Sequence, residues 1–463
     1  MDGAQLVETL RGELGDAAVL VDPDVTAAYS HDMMPLAGRA EPLAVVLPAD
    51  VEGVQAVVLA CAEAGVPVVP RGAGSGLSGA ANAVKGCVVL VLTKLDQILE
   101  VDAGNRLAVI QPGVVNLDLR DAVAKHGLFY PPDPSSYDWC TVGGNLATNA
   151  GGLCCVKYGV TTDAVLGLKV VLADGSLLVT GRRTVKGVAG YDLTKLFVGS
   201  EGTLGVIVEA TVALKPLPQA PGTLVAAFDD TGKAGEAVAR VVREGLVPSL
   251  MEIMDATSIK AAETYLKTDI GAGSGCEALL LCQSDAGGEV ARRELAAIEQ
   301  ICRDAGADLA YATDDLAEGN LLLQARRVVL TALEMYGIWL TDDVCVPRTR
   351  IAELITGCAR ISEEADLRIA VVGHAGDGNM HPTIVYDANS PSQFERARAA
   401  FNDILDLGLS LGGTVTGEHG IGKIKQDWLA REIGPVGMRV HRQIKAALDP
   451  ENLFNPGSMF EMP

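Results

Sequence analysis

Residues 66–92 read VPVVPRGAGSGLSGAANAVKGCVVLVL, a strand, a run of small residues and a second strand. This order constrains the fold more than any other feature. GSGLSG (74–79) formally satisfies GxGxxG, but a dinucleotide fingerprint needs a helix after the glycines to aim its N-terminus at a pyrophosphate. Here the chain enters a strand, which disfavours a Rossmann site. No Gly-Lys-Ser/Thr follows, which excludes a P-loop. What remains is a loop of Arg and small residues whose N–H groups can form an anion-binding nest; the competing reading is a plain surface turn.

Two more such stretches follow, PPDPSSYDWCTVGGNLATNAGG (131–152) and GSEGTLGVI (199–207). Both read as backbone-rich loops too polar for a core. Three of them in one half of a chain suggest a long phosphate-bearing cofactor laid across main chain, each Gly allowing close approach. Glycine totals 52 of 463 residues, about 11% against an ordinary value of about 7%. Residues 70–82, 140–152, 199–205, 373–378 and 412–422 concentrate the surplus.

Around these loops the periodicity predicts strands at 43–47, 66–70 and 87–92, with a helix between the first two stopped by Gly65. Further strands are expected at LAVIQPG, GLKVVLADG and GVIVEATVAL. Prolines 216, 218 and 221 mark a boundary. Beyond it helices (AGEAVARVVREGL, DATSIKAAETYL, EVARRELAAIEQICRDAG and one through 318–336) alternate with short strands such as EALLLC and RIAVVG. That pattern suits helices packed on a sheet.

The charge balance, 37 Lys+Arg against 59 Asp+Glu, gives −22 and argues against nucleic-acid binding. Ten scattered cysteines include no CxxC pair, so neither a zinc ribbon nor a cysteine-ligated iron–sulfur cluster has its usual spacing. Residues 139–156 are uncharged but rich in Gly, Asn and Thr, which is no membrane span. The expectation is a soluble chain in a reducing, cytoplasmic compartment, meeting a membrane only through a redox partner.

PRGAGSGLSGAAN, PPDPSS, TVGGNLATNAGG and GSEGTLGVI, in this order and spacing, resemble the FAD-linked oxidase/dehydrogenase family with the vanillyl-alcohol-oxidase/p-cresol-methylhydroxylase (PCMH) type of FAD domain. Its nearest branch holds the glycolate oxidase FAD-linked subunit and the D-lactate and D-2-hydroxyglutarate dehydrogenases. The resemblance runs from about residue 36 to the NPG at 455–457. It implies an α+β fold: a helical segment (1–35), a two-subdomain FAD-binding domain (36–217), a substrate domain with an antiparallel sheet covered by helices (218–445), and a tail returning to the FAD domain (446–463). Arg71, Gly72, Ala73, Gly74, Ser75, Gly76 and Gly79, with Thr141, Gly143, Gly144, Asn145 and Thr148, would hold the pyrophosphate and adenosine. Pro132, Asp133, Ser135, Glu201, Gly205, Ile207 and Asn455 would lie along the rest. His31 and His126 lie outside the matching loops, so the FAD is expected to be non-covalent.

Four of six histidines fall after residue 370. His374 and His381 in GHAGDGNMHP are too far apart along a helix to share a metal, and on one straight strand they would face opposite sides. A hairpin turning at AGDGN brings both imidazoles to one end of a sheet. GGTVTGEHGIGK then offers Glu418 and His419. Two His and one carboxylate can hold a divalent cation with open positions. The resemblance implies His374, His381 and Glu418 as ligands of Zn or Mn and His419 as base, with Asp377 and Asn379 shaping the turn. The carboxylate of an anionic substrate needs a cation, and Arg326 or Arg327 is the candidate, ahead of Arg348 and Lys423. Relatives acting on hydroxyglutarate place a Lys where this chain has Thr341, which favours a short monocarboxylate.

These readings add up to FAD-dependent oxidation of a D-2-hydroxy acid of the D-lactate, glycolate or D-2-hydroxyglutarate class. Electrons would pass to a quinone, a cytochrome, an electron-transfer flavoprotein or an iron–sulfur subunit, in a homodimer or a multi-subunit complex. The alternatives are an FAD-binding subunit of a multi-chain glycolate oxidase and a non-redox FAD enzyme of the alkylglycerone-phosphate synthase type.

Overall fold

The computed structural model describes residues 1–270, 273 and 275–463. The chain divides into two units, one made of Met1–Gly151, Gly159–Leu217 and Glu418–Pro463, the other of Gly152–Tyr158 and Pro218–Gly417.

Unit one contains two larger sheets and a two-stranded one that pairs Leu128–Phe129 with Lys215–Pro216. The first orders β1 (Val19–Leu20), β2 (Ala44–Val46), β3 (Val68–Arg71) and β4 (Val88–Val91) as β1-β2-β4-β3, with β4 parallel to both β2 and β3. The helix Val51–Ala64 makes the crossover. Asp50 caps its start by accepting from the Gly53 amide at 2.8 Å, and Gly65 ends it in the left-handed region (φ 65°). Its Val54, Val57, Val58 and Cys61 recur at helical spacing and are buried with Leu6 and Leu10 of the helix Gly3–Leu14.

The second sheet is antiparallel, ordered β5-β6-β9-β7-β8 from β5 (Ile98–Asp102), β6 (Leu107–Ile110), β7 (Val165–Val171), β8 (Leu177–Gly181) and β9 (Val206–Ala213). The two edge strands β5 and β8 were not anticipated, because their exposed faces carry Glu100 and alternate with solvent. The stretch expected as loop at 140–152 contains a short helix, Val142–Thr148. Thr141 caps it, and Val142 and Leu146 supply the apolar contacts that bury it with this sheet.

Unit two is built on one antiparallel eight-stranded sheet. Its strands are β10 (Gly222–Phe228), β11 (Leu250–Asp255), β12 (Ala278–Ser284), β13 (Leu309–Thr313), β14 (Ile338–Thr341), β15 (Val344–Cys345), β16 (Arg368–His374) and β17 (Asn379–Tyr386). The order is β13-β10-β12-β11-β16-β17-β14, with β15 also paired to β17. The helix expected through 318–336 is broken into Leu316–Arg327, Val329–Leu333 and a final 3-10 turn. Ala325, Val329, Ala332 and Leu333 pack with β10, β11 and β12 residues in the unit's main core. No helix among the described residues is long and apolar enough to cross a membrane.

Candidate active site

In unit one the chain leaves β3 at Arg71 and folds into the first glycine-rich loop. Asp32 organises it: its Oδ2 accepts from the Gly79 amide at 2.8 Å and its Oδ1 from Met34 at 3.0 Å. Burial pushes the Asp32 carboxyl up to about 6, partly offset by those amides and by Arg71. Arg71 is itself buried, with its guanidinium lying over Gly74, where a Cβ would fall 2.0 Å from Nη2. Its Nη1 is buried without a hydrogen-bond partner. An orphaned guanidinium nitrogen in a ring of glycines fits a phosphate-bearing ligand.

The loops also touch one another. A Cβ on Gly72 would stand 2.3 Å from Thr141 Oγ1, the oxygen that caps Val142–Thr148. Asn145 is buried and takes the Asn116 amide at 3.2 Å, while Asn116 also donates to the Pro132 carbonyl at 3.1 Å. Asp133 is buried and Ser135 exposed. Thr148 donates to the Gly144 carbonyl.

Glu201, fully buried, accepts from the Ile421 and Gly422 amides at 2.7 Å each. Burial pushes its carboxyl up to about 7 against those two amides. Asn455 donates to the carbonyls of Ala80 and Glu201 at 2.8 Å each. Both residues, expected along the cofactor, thus stitch unit one's remote segments together. Gly205 lies against Val170 and the Val171 carbonyl, and Ile207 belongs to the core. His31 precedes the loop anchor Asp32.

In unit two the GHAGDGNMH segment is a hairpin. His374 ends β16, Asn379 begins β17, and Val372 stands opposite His381. Alternation along β16 puts His374 on the face of Val372, hence also of His381. The two rings lie edge to face with centroids 5.1 Å apart. Asp377 accepts from the Asn379 amide within the turn. Asn379 is buried, with no hydrogen-bond partner on its Oδ1.

Arg326 and Arg327 separate sharply. Arg326 is 7% exposed and forms an ion pair with Glu252 (Nε to Oε2, 2.8 Å), whereas Arg327 is exposed. The other oxygen of Glu252 meets His374 Nδ1 at 2.6 Å. A carboxylate held by an arginine accepts from Nδ1–H, so a neutral His374 keeps its lone pair on Nε2, the arrangement a metal ligand needs. Asp343 accepts from Thr416 Oγ1 at 2.6 Å and from the Gly417 amide at 2.9 Å, and its Oδ1 lies 3.9 Å from His381 Nδ1. Glu418 and His419 are the next two residues of the chain and belong to unit one, half-buried, with His419 Nε2 3.8 Å from Glu418 Oε1. Arg348 is exposed. Lys423, in unit one, bonds the Asn82 carbonyl. Thr341 is buried against Thr383 (Oγ1 to Oγ1, 3.1 Å).

Glu252 was missed from sequence. Its signal was available: one acid within the otherwise apolar strand LMEIM.

The description "FAD binding domain" matches residues 42–181, and "FAD linked oxidases, C-terminal domain" matches residues 217–459. The chain belongs to the FAD-linked oxidase family. This oxidoreductase is 41% identical over 433 residues to the glycolate oxidase subunit GlcD of Bacillus subtilis (strain 168), covering 93% of this chain and 92% of that one. It is 36% identical over 464 residues to a D-lactate dehydrogenase of Anaerostipes hadrus, covering 98% and 97%. Among solved structures, p-cresol methylhydroxylase with substrate bound superposes with TM-score 0.80 at 21% identity, over 99% of this chain and 97% of that one. An alkyldihydroxyacetonephosphate synthase gives 0.75 at 19%, over 98% and 85%. At such identities these two speak for the fold alone. They bear out the PCMH-type architecture, and the family makes FAD the cofactor of this FAD-linked oxidase.

Proposed function

We propose that this FAD-linked oxidase converts a short D-2-hydroxy monocarboxylate to the 2-oxo acid and passes the electrons to an acceptor other than a nicotinamide. FAD supplies the two-electron acceptor for the Cα hydride, and a divalent Zn or Mn, when bound, supplies Lewis acidity at the hydroxyl. Arg326 pairs with the substrate carboxylate. His374, His381 and Glu418 hold the metal, and His419 takes the hydroxyl proton, a general-base task an imidazole can perform. The 71–79 and 141–148 segments hold a non-covalent FAD, with 132–135 and 201–207 beside it and residue 455 closing the loop set. The functional division follows: FAD-binding over 36–217, substrate over 218–445, and a tail over 446–463.

The observation that carries this reading is the cluster in unit two of a buried Arg326 joined through Glu252 to His374, whose ring packs edge to face on His381. Thr341, where a Lys would suit a second carboxylate, supports a monocarboxylate. The names of the relatives support the 2-hydroxy-acid class and a place as one subunit of a larger oxidase. Ten free thiols accord with a reducing, cytoplasmic compartment.

The test is anaerobic addition of D-lactate, glycolate and D-2-hydroxyglutarate to the purified yellow protein. Bleaching of the flavin band by D-lactate or glycolate is expected. No bleaching by any of the three, with or without added Zn or Mn, sinks the reading.

A further inference from the structure

Glu252 touches both halves of the proposed chemistry in unit two. Its side chain is wholly buried; one oxygen is hydrogen-bonded to His374 Nδ1 at 2.6 Å, and the other forms an ion pair with Arg326, 2.8 Å from Nε but out of line for a hydrogen bond. The sheet enforces the first contact, because β11 pairs with β16 in a register that sets Glu252 directly opposite His374. On its other flank stands Leu281 of β12. A carboxylate inside an apolar sheet is costly unless charged and polar partners offset it, and the sequence supplies both.

We propose that Glu252 is a positioning residue that sets, through one carboxylate, the metal-binding tautomer of His374 and the orientation of the Arg326 guanidinium. The inference rests on the proposed roles of those two residues. An ionised carboxylate only accepts, so the proton of a neutral His374 ring is held on Nδ1 and the Nε2 lone pair is left available to a cation. At the same time the Glu252 charge holds the Arg326 guanidinium by its Nε side in an ion pair. That leaves the terminal Nη donors for a substrate carboxylate. Neither His374 nor Arg326 can then reorient without disturbing the carboxylate that orients the other. A shift at the metal side is felt at the carboxylate clamp.

The experiment is Glu252→Gln in the FAD-loaded protein. An amide keeps the volume but cannot both accept from His374 and supply the charge that pairs with Arg326. The flavin band should be retained, reporting a folded unit one. The dissociation constant for Zn or Mn, measured by equilibrium dialysis without substrate, should rise about 10- to 100-fold. KM for D-lactate, or for glycolate if that acid bleaches the flavin, should rise more than kcat falls. Glu252→Asp, which keeps the charge but shortens the reach, should move both quantities the same way and serves as the test if the Gln variant does not fold.

A merely structural role would lower the melting temperature and leave the folded protein's cation affinity and KM alone. That result overturns the inference. Wild-type protein that binds neither cation sinks the metal reading itself, a failure visible before any variant is made.

Discussion

The two candidate sites are built from different parts of the polypeptide. Unit one uses main chain: glycines that let loops touch, amides fixed by Asp32 and Glu201, and a lone guanidinium at Arg71. Unit two uses side chains, with Arg326, Glu252, His374, His381 and Asp343 all buried about an antiparallel register. Main-chain sites fail when anything is added, because a new Cβ meets backbone or a fixed oxygen. Side-chain sites fail when something is removed, because a buried partner loses its counterpart.

The largest expected effect comes from adding one carbon to unit one. In Gly72→Ala the new Cβ lands on Thr141 Oγ1, a short side chain tied to the Gly144 amide. The cap and the spacing between two loops cannot both survive. The variant should purify without its 450 nm band and without activity. A fully yellow Gly72→Ala protein breaks the comparison on the unit-one side.

Removing an imidazole from unit two should leave colour intact. His381→Ala is expected to retain FAD yet slow flavin reduction by substrate about 10³-fold, the loss of several kcal/mol of Lewis-acid assistance. Stopped-flow reduction at saturating substrate reads this directly. Loss of FAD instead would place His381 in cofactor retention or folding and blur the contrast.

A smaller effect tests the main-chain side of the comparison by pH. The Glu201 carboxyl titrates near 7 in the folded protein, above its ordinary value of 4.5, so between those values the native state binds more protons than the unfolded one. Stability from this group is present below pH 4.5 and is lost as pH rises through about 7, amounting to about 3 kcal/mol as an upper figure. Denaturant midpoints of wild type should fall between pH 5 and 8, and Glu201→Leu should flatten that slope even though it weakens the fold. An unchanged slope removes Glu201 from the account.

Legibility in the sequence followed the same division. Main-chain recognition is written in composition and order, so the loops at 70–82, 140–152 and 199–207 could be found by reading glycines between strands. The hairpin of His374 and His381 was legible too, since seven residues with AGDGN between them leave few other solutions. Glu252 was not, because its role depends on a register between β11 and β16 that lie more than a hundred residues apart. The choice of Arg326 over Arg327 likewise needed the helix face, which the broken helix at Val328 obscured. Thr141 read as loop because the seven-residue helix it caps is held by Val142 and Leu146 packing on a distant sheet, and by little of its own propensity.

The smallest effect concerns residues 152–158, which lie between two stretches of unit one in sequence but belong to unit two. Side chains hold them there. Lys157 and Tyr158 both bond Asp285, the tyrosine at 2.5 Å, and Leu153 packs with Leu250 and Leu323. Val156 fills the space beside Gly376, where a Cβ would fall 2.4 Å from its Cγ2, so the segment also abuts the turn between His374 and His381. Burial and the neighbouring carboxylate hold the Tyr158 phenol well above its ordinary range, so it stays a donor across the accessible pH range. Tyr158→Phe deletes that donor while Lys157 continues to balance Asp285. It should therefore cost about 1–2 kcal/mol in denaturant unfolding and leave the flavin band unchanged. If the loss falls instead on FAD retention, this segment works with unit one, and the boundary between main-chain and side-chain recognition must move.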